Sequence, residues 1–260
     1  MFNSFFTPAK KIKDSYDSNS SVHVKLHQAT IKIHSQNNNT LKRLILNKKQ
    51  KSPVKLILDS VNLAFTKGER IGIIGHNGSG KSTLLRVIAG IYPLTSGTVS
   101  RSGTISVNME RGSGLDGELN LRQNIQLSLA TTGRYHLYSQ QVVEEVLDYA
   151  ELSKFSDQPL KLLSSGMLAR LSFAISMIGD ADILLLDEAF ATGDANFIKK
   201  STAVMHERIK STALLFFVSH QMDSVQATCT RTIILSNGRV IGDGATDDML
   251  REYGKINKSR

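Results

Sequence analysis

Gly75-His76-Asn77-Gly78-Ser79-Gly80-Lys81-Ser82 is the stretch that leaves this chain the least freedom in how to fold. Ile71-Gly72-Ile73-Ile74 precedes it and Leu84-Leu85-Arg86-Val87-Ile88 follows, so a buried strand leads in and a helix leads out. Its glycines allow backbone N–H groups to close around anionic oxygens, and the helix starting at Lys81 aims its positive dipole end at the same point. The spacing is that of a P-loop, in which Lys81 reaches the β and γ phosphates and the Ser82 hydroxyl holds Mg²⁺. ATP with Mg²⁺ is therefore the expected ligand, bound by Gly75, His76, Asn77, Gly78, Ser79, Gly80, Lys81, Ser82 and Thr83.

At 260 residues the chain has room for one full-sized domain, or one core with a satellite lobe. Cys229 is the only cysteine, which excludes an intramolecular disulfide and points to a reducing compartment. The first 13 residues lack the apolar core of a secretory signal, and runs such as Ile183 to Leu186 are far too short to span a bilayer. The formal net charge of +9 is placed unevenly: residues 1–55 hold 11 Lys and Arg against 2 Asp, leaving 21 charges of each sign beyond. A neutral main domain with a basic leader suits contact with an anionic membrane surface, or solvent alone, better than a broad nucleic-acid face.

Residues 1–21 read as a flexible leader. Alternation through Val22, Val24, Leu26 and again Ile31, Ile33 predicts a strand, and Leu41, Leu44 and Ile45 after Thr40 predict a short amphipathic helix flanked by Lys42, Arg43, Lys48 and Lys49. Strands are expected at Lys55 to Leu63, Arg70 to Gly75 and Thr98 to Met109, with a helix over Lys81 to Ala89. Between about 110 and 180 the pattern turns helical, at Leu121 to Thr131, Gln140 to Ala150 and Gly166 to Ile178. Strands return at Ile183 to Leu186, Ala213 to Val218 and Arg231 to Ser236, the last joined through Asn237-Gly238 to a hairpin partner at Arg239 to Asp243.

Three further groups share the chemistry of the P-loop. Ala181 to Glu188 is a buried strand that delivers Asp187 and Glu188 at its C-terminal end, the edge where open α/β sheets bind ligands. Asp187 suits Mg²⁺, directly or through water, and Glu188 suits polarisation of an attacking water. Leu163-Ser164-Ser165-Gly166-Met167 opens an amphipathic helix and forms a second phosphate-compatible N-terminus. His220 follows a strand, where an imidazole can hydrogen-bond a γ-phosphate.

Taken together, over residues 22–250, these motifs resemble the nucleotide-binding subunit of an ABC transporter. The resemblance implies an α/β fold: a P-loop NTPase (RecA-like) core of the ABC type with an antiparallel β edge and an inserted helical subdomain at about 110–180, leaving 251–260 as a tail. It further implies a homodimer in which Ser164, Ser165 and Gly166 contact, in trans, the ATP held by the other copy's P-loop. Lys81, Glu188 and His220 take catalytic roles, with Asp194 as the residue of dimer communication. The departures are Ser165 and Met167 in the signature, Ala189 after Glu188, Glu110 or Arg111 where the family has a metal-linked glutamine, and no aromatic near Val54 to Leu58 for adenine.

Ser164 to Leu171, the Glu110 to Ile125 stretch and Gly193-Asp194-Ala195 look like the polysaccharide exporters, and Asn37 to Leu46 is similar to that group's N-terminal insertion near the membrane. The implied partners are an integral-membrane permease and a lipid-linked polysaccharide such as O-antigen, capsule or teichoic acid. The implied location is the cytoplasmic face of the bacterial inner membrane, peripherally bound, with no nucleic acid. The alternatives are a soluble ABC ATPase acting on nucleic acid or ribosomes, and an ABC exporter of another cargo.

Overall fold

The computed structural model describes residues 22–34, 54–108, 114–187 and 195–258. Glu110, Arg111, Glu188, Asp194, the leader and the segment carrying Leu41, Leu44 and Ile45 lie outside the described residues. In chain order the elements are β1 (His23–His34), β2 (Val54–Thr66), β3 (Arg70–Ile74), α1 (Lys81–Ile88), β4 (Ser96–Ser102) and β5 (Ile105–Asn108). Next come α2 (Leu121–Thr131), α3 (Gln140–Tyr149), α4 (Ser165–Ser176), β6 (Ile183–Asp187) and α5 (Ala195–Ser211). The chain continues with β7 (Leu214–Val218), α6 (Met222–Thr228), β8 (Arg231–Ser236), β9 (Arg239–Ala245) and α7 (Thr246–Lys258). These elements form two compact units: His23–Ser102 with Val218–Arg260, and Gly103–Phe217.

The first unit holds a three-stranded antiparallel sheet in the order β2-β1-β4. Val24 pairs with Phe65 and Leu26 with Leu63, and all four are buried. The alternation expected through Ile33 does not persist: register shifts between Leu26 and Lys32 bury Ala29, Thr30 and Ile31 in succession and turn Ile33 outward, 51% exposed. Gln28 (φ 46) and Ser60 (φ 51) take left-handed backbone at this irregularity, steadied by Gln28 N donating to Asn62 Oδ1 at 2.8 Å and Ser60 N to Thr30 Oγ1 at 3.1 Å.

The same unit carries β3, β8 and β9. β3 runs parallel to β8, with Ile73 opposite Ile233, and β8 returns antiparallel as β9. The turn between them has positive φ at both Asn237 (49°) and Gly238 (78°), the backbone that an Asn-Gly pair predicts for a tight hairpin. Arg231 ties the far end together, donating to Glu69 at 2.7 Å, to both oxygens of Asp243 at 2.7 Å, and to the Ala64 carbonyl, with its guanidinium over Phe65. The hydrogen bonds it donates, to Asp243 foremost, push its pKa further up.

In the second unit β5, β6 and β7 are neighbours in that order, β5 parallel to β6. Thr98 to Met109, expected as one strand, is two: Gly103 (φ 116) breaks it, leaving β4 in the antiparallel sheet and β5 beside β6. The helical stretches α2, α3 and α4 each begin at a side-chain cap. Asn120 and Gln123 exchange a capping box at 2.8 and 3.0 Å, Ser139 caps α3 and Ser164 caps α4. Tyr149, Phe173 and Phe197 gather α3, α4 and α5 through ring centroids 5.9–6.1 Å apart. Residues 251–258, read as tail, continue α7 as helix. Among the described residues no helix is long and apolar enough to cross a membrane.

Arg231→Ala leaves Glu69 and Asp243 without their shared cation in a partly buried setting and is expected to lower stability by about 2–3 kcal/mol, read as a fall in Tm. An unchanged Tm would remove Arg231 from its place as the tie among β2, β8 and β9.

Candidate functional site

The P-loop follows β3 directly, and its conformation is set by what the glycines avoid. Gly75 has φ 150, and a Cβ there would stand 2.2 Å from the Leu235 carbonyl and 2.8 Å from Ser79 Oγ. Gly80 has φ 109, and its Cβ would meet the Ile57 carbonyl at 2.9 Å. At Gly78 (φ 78) nothing lies within 4 Å, so the loop's crown opens to solvent. The loop is pressed against β2 and β8 at its base and left clear above.

Lys81 is buried, and its Nζ donates to the Gly75 carbonyl at 2.8 Å and the His76 carbonyl at 3.1 Å. Because each peptide is planar and trans, drawing these carbonyls toward the ammonium turns the following N–H groups the other way. Ser79 N donates to the His76 carbonyl at 3.1 Å. Helix α1 takes Gly80 as its N-cap, a residue with no side chain to occupy the helix's first N–H groups, whereas α2, α3 and α4 all cap with Asn or Ser. Its other end is closed by Arg101, which donates to the Val87 and Ile88 carbonyls at 3.2 and 2.9 Å.

Two buried polar atoms in this loop have no hydrogen-bond partner, Ser79 Oγ and His76 Nε2. Unmet polar capacity, an open crown, an uncapped helix start and a buried ammonium together fit a polyanion such as the phosphates of ATP. Ser82 and Thr83 are half-buried in the first turn of α1. Among the described residues no cluster of three or more His, Cys, Asp or Glu is arranged for a metal. His220 is exposed, between the end of β7 and the start of α6.

In the other unit, Asp187 is the last residue of β6, half-buried after four fully buried residues. Ser164 accepts from Met167 N at 3.2 Å and so begins α4, while Ser164 and Ser165 are exposed and Gly166 is half-exposed. A Cβ on Gly166 would come no nearer to anything than 3.9 Å, to Ser164 Oγ. Just beyond the C-terminal end of α4 two arginines hold the chain. Arg134 donates to Ile178 O at 3.0 Å, and Arg208 donates to Gly179 O and to Asp180 at 3.2 Å. Burial lowers both of their pKa values, that of Arg134 to about 10.

The ABC transporter family model matches residues 58–191. The O-antigen export system ATP-binding protein RfbB of Klebsiella pneumoniae is 35% identical over 198 residues, 76% of this chain and 80% of that protein. The chain belongs to the ABC transporter family. Another ABC relative, the O-antigen export system ATP-binding protein RfbE of Yersinia enterocolitica, is 38% identical over 183 residues, 70% of this chain and 77% of its own. The teichoic acids export ATP-binding protein TagH of Enterococcus faecalis is 38% identical over 213 residues, 82% of this chain and 47% of that longer one. Among solved structures, a dimeric ATP-binding cassette in a post-hydrolysis state with ADP and Pi superposes with a TM-score of 0.65 at 21% identity, over 86% of this chain and 98% of that one. At that identity the likeness speaks for the ABC fold.

The residues that seat the loop, Leu235, Gly238 and Ile57, do not stand out in the sequence as part of the site. Asn237-Gly238 signals a hairpin turn, and nothing in its pattern signals what the turn rests on. Gly75→Ala is expected to abolish nucleotide binding, because its Cβ cannot clear the Leu235 carbonyl, whereas Gly78→Ala, which meets only an unfavourable φ, should weaken binding about tenfold or less. Titration with a fluorescent ATP analogue distinguishes them, and equal losses would contradict the seated-base, open-crown geometry.

Proposed function

We propose that the chain is the ATP-hydrolysing subunit of an exporter that drives a cell-surface polysaccharide such as O-antigen across the inner membrane. What carries the reading is a fully formed P-loop in a chain 35–38% identical to ATP-binding proteins of O-antigen and teichoic acid export systems. Two copies would act with a separate permease embedded in the membrane, and the chain would lie peripherally on the cytoplasmic face.

In this reading the P-loop amides and Lys81 bind the β and γ phosphates, and Ser82 with Asp187 holds Mg²⁺, Glu110 being a further candidate ligand. When bound, Mg²⁺ would supply neutralisation of the charge on the phosphates. Glu188 takes a proton from the attacking water as its oxygen bonds to the γ-phosphorus and the bond to the β–γ bridging oxygen breaks, releasing ADP and phosphate. His220 steadies the γ-phosphate. The exposed Ser164 and Ser165 of a second copy, with its Gly166, close the site, which makes turnover conditional on pairing, and Asp194 links the two sites.

Glu188→Gln should retain ATP binding, accumulate ATP-bound dimers on size exclusion, and lose at least about a hundredfold in hydrolysis. Normal turnover would overturn the role of Glu188. Deleting the gene in its own host tests the cargo: surface polysaccharide should disappear and its lipid-linked precursor build up inside. Intact surface polysaccharide, with loss of a different exported molecule, would reassign the cargo while leaving the ATPase reading standing.

A further inference from the structure

The P-loop does not hold its shape alone. Gly238, in the β8–β9 turn, donates its N–H to the Ser79 carbonyl at 2.9 Å and accepts from Asp59 N at 2.9 Å, so one residue of the hairpin joins the loop to β2. The fit leaves no slack: a Cβ on Gly238 would stand 2.5 Å from the Ile57 carbonyl, and one on Gly80 would come within 3.7 Å of Gly238 Cα. Arg239, the next residue, closes the junction with an ion pair to Asp59 at 2.6 Å, made through both Nε and Nη2 to the same carboxylate oxygen. Asp59 is 16% exposed and Arg239 70%, so the carboxylate is the sheltered member and the guanidinium reaches in from solvent. The hydrogen bond from Arg239 holds the Asp59 carboxyl below its usual range.

Planarity converts this junction into a statement about binding. The Ser79–Gly80 peptide is trans, so fixing the Ser79 carbonyl toward Gly238 points the Gly80 N–H the opposite way, away from the hairpin and into the hollow of the loop. Gly80 is also the N-cap of α1, where the helix's positive end gathers. Without the hairpin, a glycine at φ 109 is free to rotate, and the peptide carries its donor with it.

The geometry points to Asp59 and Arg239 as positioning residues for nucleotide binding: their ion pair latches the Asn237-Gly238 turn beneath the P-loop and so aims the Gly80 N–H at the phosphates. The inference rests on the P-loop as the nucleotide site. It adds residues from β2 and β9 that touch no phosphate themselves.

The test uses the full chain and a fluorescent ATP analogue, with thermal melts alongside. Asp59→Asn and Arg239→Ala should each raise the Kd for nucleotide about three- to fivefold, and KM with it, with a smaller change in kcat. The double variant should be no worse than either single, because one latch is lost in all three. Arg239→Lys, which keeps the charge, should recover part of the affinity. Gly238→Ala, which forces the turn off Ile57, should cost more than any of these. If Gly238→Ala does not fold, the Asp59 and Arg239 variants decide alone.

Parental Kd in both single variants, with or without a lower Tm, would make the pair merely structural and overturn the inference. Additive losses in the double variant would equally overturn the latch. Lys81→Ala separates this from the reading beneath it. If Lys81→Ala abolishes binding while the latch variants bind normally, only the latch is wrong, and if Lys81→Ala binds normally, the P-loop assignment falls and the latch with it.

Discussion

The constraint on which the nucleotide-binding unit depends is the approach of Gly75 to the Leu235 carbonyl, too close for any side chain. It forces the chain leaving β3 to turn at once across the end of β8, and everything that follows inherits that turn. Lys81 can fold back to the Gly75 and His76 carbonyls only because the loop is this tight. Its stem is then buried, and its ammonium donates to two peptide carbonyls of the loop.

The helix that leaves the loop is built to the same end. Arg101 satisfies carbonyls at the C-terminal end of α1, and a glycine begins it. In α2, α3 and α4 the start is satisfied by a side chain from within the protein. For α4 this sits beside exposure, with Ser164 capping its own helix while remaining at the surface. The starts of α1 and α4 therefore differ: one has no side-chain cap, the other is capped by a serine that stays exposed.

Much of this was legible in the residues. The P-loop, the helix opened by Ser164-Ser165-Gly166 and the Asn237-Gly238 turn are local signals, in which short-range chemistry fixes short-range geometry. The strand predicted over Thr98 to Met109 shows where such reading ends. Alternation continues across Gly103, and only the pairing of β5 with β6 reveals that the chain changes sheets there. Ile33 fails for a similar reason: a bulge that shifts register by one residue is a property of two strands together, and it reverses the face on which every later side chain appears. The contact of this hairpin with the P-loop was invisible because Ser79 and Gly238 are brought together by the parallel pairing of β3 with β8, not by any pattern along the chain.

The arginines at the end of α4 carry a mechanical consequence. Arg134 and Arg208 fasten the residues just beyond its C-terminus, whereas Ser164 and Ser165 at its other end are exposed. A helix of 12 residues is about 18 Å long, here fastened just past one end and packed along its body through Phe173. A tilt of about 10° about the fastened end displaces its tip by about 3 Å, which is the length of a hydrogen bond. Small rotations rooted at the guanidiniums are thus enough to make or break a contact at the serines, and stiffness at the buried end becomes leverage at the exposed one.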